Sequence, residues 1–261
     1  MTTLGIIGGT GQLGSAMATA WLETRTVTPG HLWFANSTGA LGPLARWEGV
    51  RGTPDAQAMV EACDVVILSV PPAAASNLKI ATGDRLVISV MAGVTLDRLA
   101  DITRGTKLVR AMSSPAAAQR LAYSPWIAAP GLGADDTATV AKLLTACGLT
   151  DRVTSEDQID RFTAITGPVP GFVAAFADAV VSHAAARGVP ADIAVRATRQ
   201  LFLAAGTAMA LDDRAPRAHV DEMIDYAGTT AAGLLALDQG PLKAAVDQAL
   251  DAAYQRTKTI G

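Results

Sequence analysis

The chain has 261 residues, a formal net charge of −3 and a half-hydrophobic composition in which aromatics make up only 5%. That length suits one large domain or two of ordinary size with a core of Ala, Val, Leu and Ile. The mild acidity excludes the basic face that a nucleic-acid partner would need, and two cysteines outside any CxxC pair or Cys/His cluster exclude a disulfide framework and a thiolate metal centre. Cys63 and Cys147 therefore read as buried thiols in a reducing compartment. The opening MTTLGIIGGTG lacks the basic region and cleavage site of a signal peptide, and Asp178 and His183 interrupt the apolar stretch Val169–Ala186, so a cytoplasmic protein with no membrane span is expected.

The first half alternates strand and helix signals. Leu4–Ile7 is a short apolar run ending in glycines, Gly14–Glu23 reads as a helix and His31–Ala35 as a second strand. Helices are predicted over Ala40–Trp47 and Pro54–Ala62. Asp64–Val70 (DVVILSV) and Arg85–Val90 (RLVISV) are the clearest buried strands, followed by shorter candidates at Lys107–Ala111, Trp126–Ala129 and Asp151–Val153. Strands separated by helices imply βαβ units and a parallel sheet. From Gln158 onward the strand signals stop. Helices are predicted over Gly171–Arg187, Pro190–Leu211, Ala218–Tyr226, Thr230–Gln239 and Leu242–Lys258, punctuated by Gly and Pro. The expected organisation is an α/β Rossmann domain with a doubly wound parallel sheet over residues 1–155, then an all-α domain over 156–261.

Gly9-Thr10-Gly11-Gln12-Leu13-Gly14 matches G-x-G-x-x-G between a predicted strand and a predicted helix, the context that gives this pattern its meaning. Gly9 is expected to permit the tight turn, Gly11 to let backbone N–H groups approach a pyrophosphate, and Gly14 to let helix and strand pack closely. The helix N-terminus adds a dipole that favours the anion. At the end of the second strand stand Asn36, Ser37 and Thr38, where enzymes using NAD commonly carry a carboxylate for the ribose 2′-hydroxyl. Their neutral donors suit a 2′-phosphate, so NADPH is the expected cofactor, with NADH also compatible. Val70 and Pro71 after the third strand, and Ala92 and Gly93 after the fourth, should line the crevice at the carboxyl ends of the strands. For the prolines, simple strand termination serves equally well.

These segments, IIGGTGQLGSAMA, ILSVPP, ISVMAGV, LVRAMSSP and AGTTAAGL, resemble the pyrroline-5-carboxylate reductase family in order and over nearly the whole chain. The resemblance implies reduction of a small-molecule cyclic imine with NAD(P)H. It also implies a helical domain that forms an intertwined homodimer, or a higher homo-oligomer built from dimers, with a site made by both subunits. The departures fall on the substrate side. Val70-Pro71-Pro72-Ala73 stands where the family has V-K-P-Q, and Arg110-Ala111-Met112-Ser113-Ser114-Pro115 is one residue shorter than R-V-M-P-N-T-P. Pro168 and Val169 replace a serine and a glycine in the segment from Thr166 to Phe172, and Asp225-Tyr226-Ala227 replaces Ser-Pro-Gly before Gly228-Thr229-Thr230.

The resemblance makes Thr229 and Thr230, at the start of a predicted helix, candidates to hold a substrate carboxylate, although the residues alone would read as N-caps. Thr166, in the loop entering the long helix, is a second hydroxyl candidate or another N-cap. Asp225 is a candidate acid or orienting group, or a solvated helix end; a carboxylate there would disfavour an anionic imine acid and favour a neutral or cationic one, so the imine could be pyrroline-5-carboxylate or a relative. His219 is the only histidine with any claim to chemistry. Two other readings remain. A β-hydroxyacid dehydrogenase or F420-dependent NADP reductase relative shares the glycine-rich start, but such dehydrogenases need a lysine that Thr163–Phe172 lacks. A regulatory NADPH-binding protein without catalysis would explain the altered substrate loops.

Overall fold

The computed structural model describes residues Thr2–Ile260, which fall into two compact units. The first runs to Gly167 and takes in the chain again from Ala253; the second is Pro168–Ala252.

In the first unit the elements follow as β1 (Leu4–Ile7), α1 (Gln12–Glu23), β2 (Leu32–Ala35), β3 (Arg51–Thr53), α2 (Ala56–Ala62), β4 (Val65–Leu68), β5 (Leu86–Ser89), α3 (Leu96–Thr103), β6 (Leu108–Ala111), β7 (Ala122–Tyr123), β8 (Trp126–Ala128), α4 (Ala134–Thr145), β9 (Gly148–Leu149) and α5 (Glu156–Thr166). Seven strands form one sheet in the order β3-β2-β1-β4-β5-β6-β8, parallel except for the antiparallel β8. This is the doubly wound order, with its switch point between β1 and β4. Every residue of β1, β4, β5 and β6 is buried, because helices cover both faces and leave no strand position for water. Ile6, Phe34, Ile67, Ile88 and Val109 point to the face that packs on Met17 and Trp21 of α1 and Val140 and Leu144 of α4. Ile7, Val66, Leu68, Val87 and Leu108 point to the other, against Met59 of α2 and Leu99 of α3. Trp21 Nε1–H donates to the Leu143 carbonyl at 2.7 Å and ties α1 to α4.

The second unit holds α6 (Val169–Ala185), α7 (Ala191–Ala210), α8 (Pro216–Asp225), α9 (Gly228–Asp238) and the start of α10 (Leu242–Thr257), whose last turns return to the first unit. Helices α6 and α7 pair through Phe176 and Phe202, edge to face at 5.6 Å, and Arg217 of α8 reaches Asp238 of α9 at 2.8 Å. Among the residues of this unit only Ala194, Thr198 and Ala231 are buried, while Phe176, Leu201, Leu203 and Met209 stand at least half exposed or nearly so.

Several local expectations differ from the structure. Ala40–Trp47 forms only a short 3-10 turn over Gly42–Arg46, because Gly42 is left-handed (φ 53°) and Pro43 follows it. Asp151–Val153 contributes one bridge, Arg152 to Trp126, rather than a strand. The polar edge strand β3 and the helices α3, α4 and α5 lie in segments where no element was expected. The contact boundary at Gly167 lies after α5, beyond the break at 155 read from the loss of strand signals. By length and composition Glu156–Ala185 is apolar enough to cross a membrane, but Gly167-Pro168 divides it into α5 and the 17-residue α6.

Candidate nucleotide site

The carboxyl ends of β1, β2, β4 and β5 bring the expected cofactor residues to one edge of the sheet. Gly8, not Gly9, makes the turn after β1. Its φ of +82° is left-handed, and its carbonyl accepts from Gly11 N–H at 3.0 Å. A Cβ on Gly8 would stand 2.6 Å from the Ser69 carbonyl oxygen and 2.8 Å from a Val70 methyl, so Val70 closes the loop from the β4 side. Gly9 serves a different purpose from the one expected: a Cβ there would lie 1.9 Å from the buried Phe34 ring. A Cβ on Gly14 would stand 2.8 Å from the Gly9 Cα, so its absence lets α1 press against the loop rather than against the strand. Gly11 is the N-cap of α1 with extended backbone (φ −68°, ψ 167°) and nothing closer than 3.2 Å to its missing Cβ. Helix α1 starts with no capping side chain and no acidic residue, so the first-turn N–H groups, beginning with Gln12 and Leu13, have no side chain of their own helix to satisfy them. A loop of bare backbone at an uncapped helix N-terminus is a cradle for a pyrophosphate.

Asn36 is committed to the protein. Its Nδ2 donates to Thr10 Oγ1 at 3.3 Å and to the Ala40 carbonyl at 2.8 Å, while its Oδ1 accepts from Thr38 N–H and Oγ1. It therefore braces the β2 end against the phosphate loop and does not offer a free amide. Ser37 and Thr38 are exposed beside it, and no carboxylate belongs to the Asn36–Thr38 turn. Pro71 precedes a short 3-10 turn over Pro72–Asn77. Ala92 and Gly93 (φ +75°), both partly exposed, form the turn between β5 and α3.

The substrate-side candidates divide between the units. Thr166 ends α5 rather than entering α6, and its hydroxyl donates to the Phe162 carbonyl at 2.8 Å, the helical return bond open to a threonine. Thr229 and Thr230 lie inside the first turn of α9, exposed, and are not N-caps; that position belongs to Ala227. Ala227 adopts φ 68°, ψ −170°, a region otherwise reserved for glycine. Asp225 ends α8, exposed, across the turn from the two threonines. His219 faces Asp212 at 3.8 Å in a loop where Arg214 holds the Asp212 carboxyl down to about 2.

Two groups of residues escaped sequence reading. Gly8 was visible as the first of the Gly8-Gly9 pair. Arg110 of β6 carries no sequence signal beyond its place in LVRAMSSP, yet it is 1% exposed and binds Glu156 at 3.1 Å and Asp160 on α5. Lys258 reaches Asp160 at 2.8 Å and Asp157 at 3.3 Å, and Tyr254 donates to Asp157. Hydrogen bonds from Tyr254, Arg161 and Lys258 hold the Asp157 carboxyl down at about 2. Burial pushes the Cys63 and Cys147 thiols up to about 12, and both are free.

The comparisons with known proteins match two separate stretches of the chain. Residues 156–260 match the family described as pyrroline-5-carboxylate reductase dimerisation, and residues 3–93 match the one described as NADP oxidoreductase coenzyme F420-dependent. Pyrroline-5-carboxylate reductase of Methanosarcina acetivorans is 31% identical over 97% of this chain and 96% of its own. A solved 1-pyrroline-5-carboxylate reductase from Streptococcus pyogenes superposes with a TM-score of 0.81 at 26% identity, covering 99% and 98% of the two chains. The NADP-bound pyrroline carboxylate reductase of Plasmodium falciparum has a TM-score of 0.83 over 100% and 98%, and at 20% identity shares the fold.

Proposed function

The chain belongs to the pyrroline-5-carboxylate reductase family, and on that footing we propose that it reduces a cyclic imine, pyrroline-5-carboxylate or a close relative, to the cyclic amine with NADPH. The observation that carries the reading is the glycine cradle between β1 and α1, where Cβ atoms at Gly8, Gly9 and Gly14 would collide with the protein and the one at Gly11 would face the ligand.

When bound, NADPH supplies the hydride for the imine carbon. The chain's own residues bind, orient and neutralise. The loop N–H groups and the α1 dipole hold the pyrophosphate. Ser37 offers its hydroxyl, without a repelling carboxylate, to a ribose 2′-phosphate, while the Thr38 hydroxyl is donated to Asn36 Oδ1 and braces the turn. Val70, Pro71, Ala92 and Gly93 wall the crevice at the strand ends. Thr229 and Thr230 present hydroxyls and first-turn N–H groups of α9 to the substrate carboxylate. Thr166 and Asp225 are the candidates for orienting the imine, whose nitrogen ends the reaction carrying the added proton. Asp225 is the feature that favours a relative of pyrroline-5-carboxylate with less negative charge.

The helical unit is proposed to be the dimer-forming part. Its single-chain helices leave Phe176, Leu201, Leu203 and Met209 in water, an apolar area that calls for a partner copy. The proposed compartment is the cytoplasm, which keeps Cys63 and Cys147 as thiols.

The test is loss of NADPH absorbance with pyrroline-5-carboxylate beside a panel of other cyclic imines and with NADH in place of NADPH. Turnover of at least one imine, faster with NADPH, is expected. An oligomeric, NADPH-binding protein that turns over none of them would replace this reading with the regulatory one.

A further inference from the structure

The segment between β5 and α3 is pinned at both ends. At its start Met91 N–H reaches Ser89 Oγ at 3.3 Å. At its end two α3 first-turn donors are satisfied: Arg98 N–H by the Thr95 hydroxyl at 3.2 Å and Leu96 N–H by Glu156 Oε1 at 2.9 Å. The second bond is unusual in its source, because the carboxylate comes from α5, 60 residues along the chain. Between the pins lie Ala92 and Gly93, both partly exposed, with Gly93 left-handed.

The same Glu156 oxygen accepts from Arg110 Nη1 at 3.1 Å, and Arg110 is buried at the carboxyl end of β6. The Arg110 guanidinium also holds Asp160, while its Nε has no partner among the described residues. Asp160 would by itself supply the buried arginine with a counter-charge. Glu156 adds a link from that charge to the loop. Its carboxylate, one-third exposed, is steered by the arginine onto one backbone N–H at a helix N-terminus, where negative charge is favoured. A buried ion network of this type gives little net stability over an apolar one of the same volume, but it fixes geometry.

We propose that Glu156, steered by Arg110, is a positioning residue for the nucleotide crevice: it sets the Ala92–Gly93 turn, through Leu96 N–H, in the place that bound NADPH requires. The inference rests on the reading of the crevice as an NADPH site. Glu156 itself touches neither cofactor nor substrate in this role. Asp157, one residue on, anchors Tyr254 and Lys258 and does not reach the loop.

The experiment compares Glu156→Ala and Glu156→Asp with Asp157→Asn as control. It reads NADPH dissociation constants by titration calorimetry, amide exchange at Leu96, and kcat against KM. In Glu156→Ala the Kd and KM for NADPH are expected to rise about tenfold, the weight of one hydrogen bond to a charged group, while kcat at saturating NADPH stays within about twofold. Exchange at Leu96 should speed up. Glu156→Asp keeps the charge and withdraws the oxygen by one methylene, so it should shift Kd in the same direction even if the alanine variant fails to fold. Asp157→Asn should lower the melting temperature and leave Kd unchanged. A folded Glu156→Asp or Glu156→Ala dimer with wild-type Kd overturns the inference, as does an equal rise in Asp157→Asn. Wild-type protein that binds no NADPH overturns the crevice reading itself, and the inference with it.

Discussion

Two neighbouring glycines separate what the phosphate loop owes to the fold from what it owes to the ligand. In Gly9→Ala the new methyl would sit 1.9 Å from Phe34 Cδ1 and 2.3 Å from Cε1. Carbon atoms settle near 3.5–4 Å, so loop or ring must move by about 1.5–2 Å. Phe34 is fully buried between β2 and α1, and has nowhere to go. Overpacking of this kind destabilises by about 1–3 kcal/mol. The displaced loop also gives up N–H contacts to the pyrophosphate at about 1.5–3 kcal/mol each, so NADPH affinity should fall by about a hundredfold or more. In Gly11→Ala the nearest atom is the Gly8 carbonyl oxygen at 3.2 Å, and φ of −68° suits alanine. The protein should lose less than about 1 kcal/mol, the difference between Gly and Ala as an N-cap. On the proposed site the methyl would stand in the lane of the phosphate, and affinity should drop at least about tenfold. Urea denaturation of the ligand-free protein and titration with NADPH measure the two quantities independently. A Gly11→Ala protein that is destabilised as much as Gly9→Ala, yet binds NADPH normally, would refute the division of roles.

Ala227→Gly should raise stability by about 1 kcal/mol, because glycine relieves a backbone state that strains alanine by about 1–3 kcal/mol, less its own entropy; a lower melting temperature would show that the turn is unstrained. Asp157 carries a carboxyl lowered to about 2 from about 3.9 unfolded. A lowered pKa contributes stability that is complete above about pH 5 and lost as pH falls toward about 2, so Asp157→Asn should flatten the melting-temperature profile across that window and hardly change its shape above it. Leu201→Glu with Leu203→Glu, both 64% exposed in the single chain, should convert the oligomer to monomer in light scattering and abolish turnover; an intact dimer would move the interface to another face.

The sheet was legible because parallel strands covered on both sides must be continuous apolar runs, and DVVILSV and RLVISV can be little else. The edge strand Arg51–Thr53 was not, since one polar tripeptide with an exposed side carries no such pattern. Helix α3 escaped for a related reason: it has eight residues, and part of its N-terminal satisfaction comes from Glu156 in another element. The glycine motif located the loop but assigned the turn to Gly9, because spacing cannot report which glycine has positive φ. Asn36 was read as a ligand donor; its amide is consumed by Thr10 and Ala40, a tertiary fact with no local signature. Thr229 and Thr230 were reached through the family pattern, and what the structure adds is the strained alanine before them.

The return of α10 to the first unit has a consequence for the order of assembly. Asp157 and Asp160 are synthesised about a hundred residues before Tyr254 and Lys258, the groups that complete their network. During translation, which proceeds from the N-terminus and lets early domains fold first, the nucleotide-binding half emerges first, with Arg110 on Asp160 and Arg161 on Asp157 but without the two partners from the tail. It reaches its final form only when the ribosome has released residues Ala253–Ile260, after every helix of the other unit has been made. The oldest half of the molecule is thus the last to be finished. A protease that trims the tail would strip Asp157 and Asp160 of Tyr254 and Lys258, and leave the sheet core and the pairs with Arg161 and Arg110 in place.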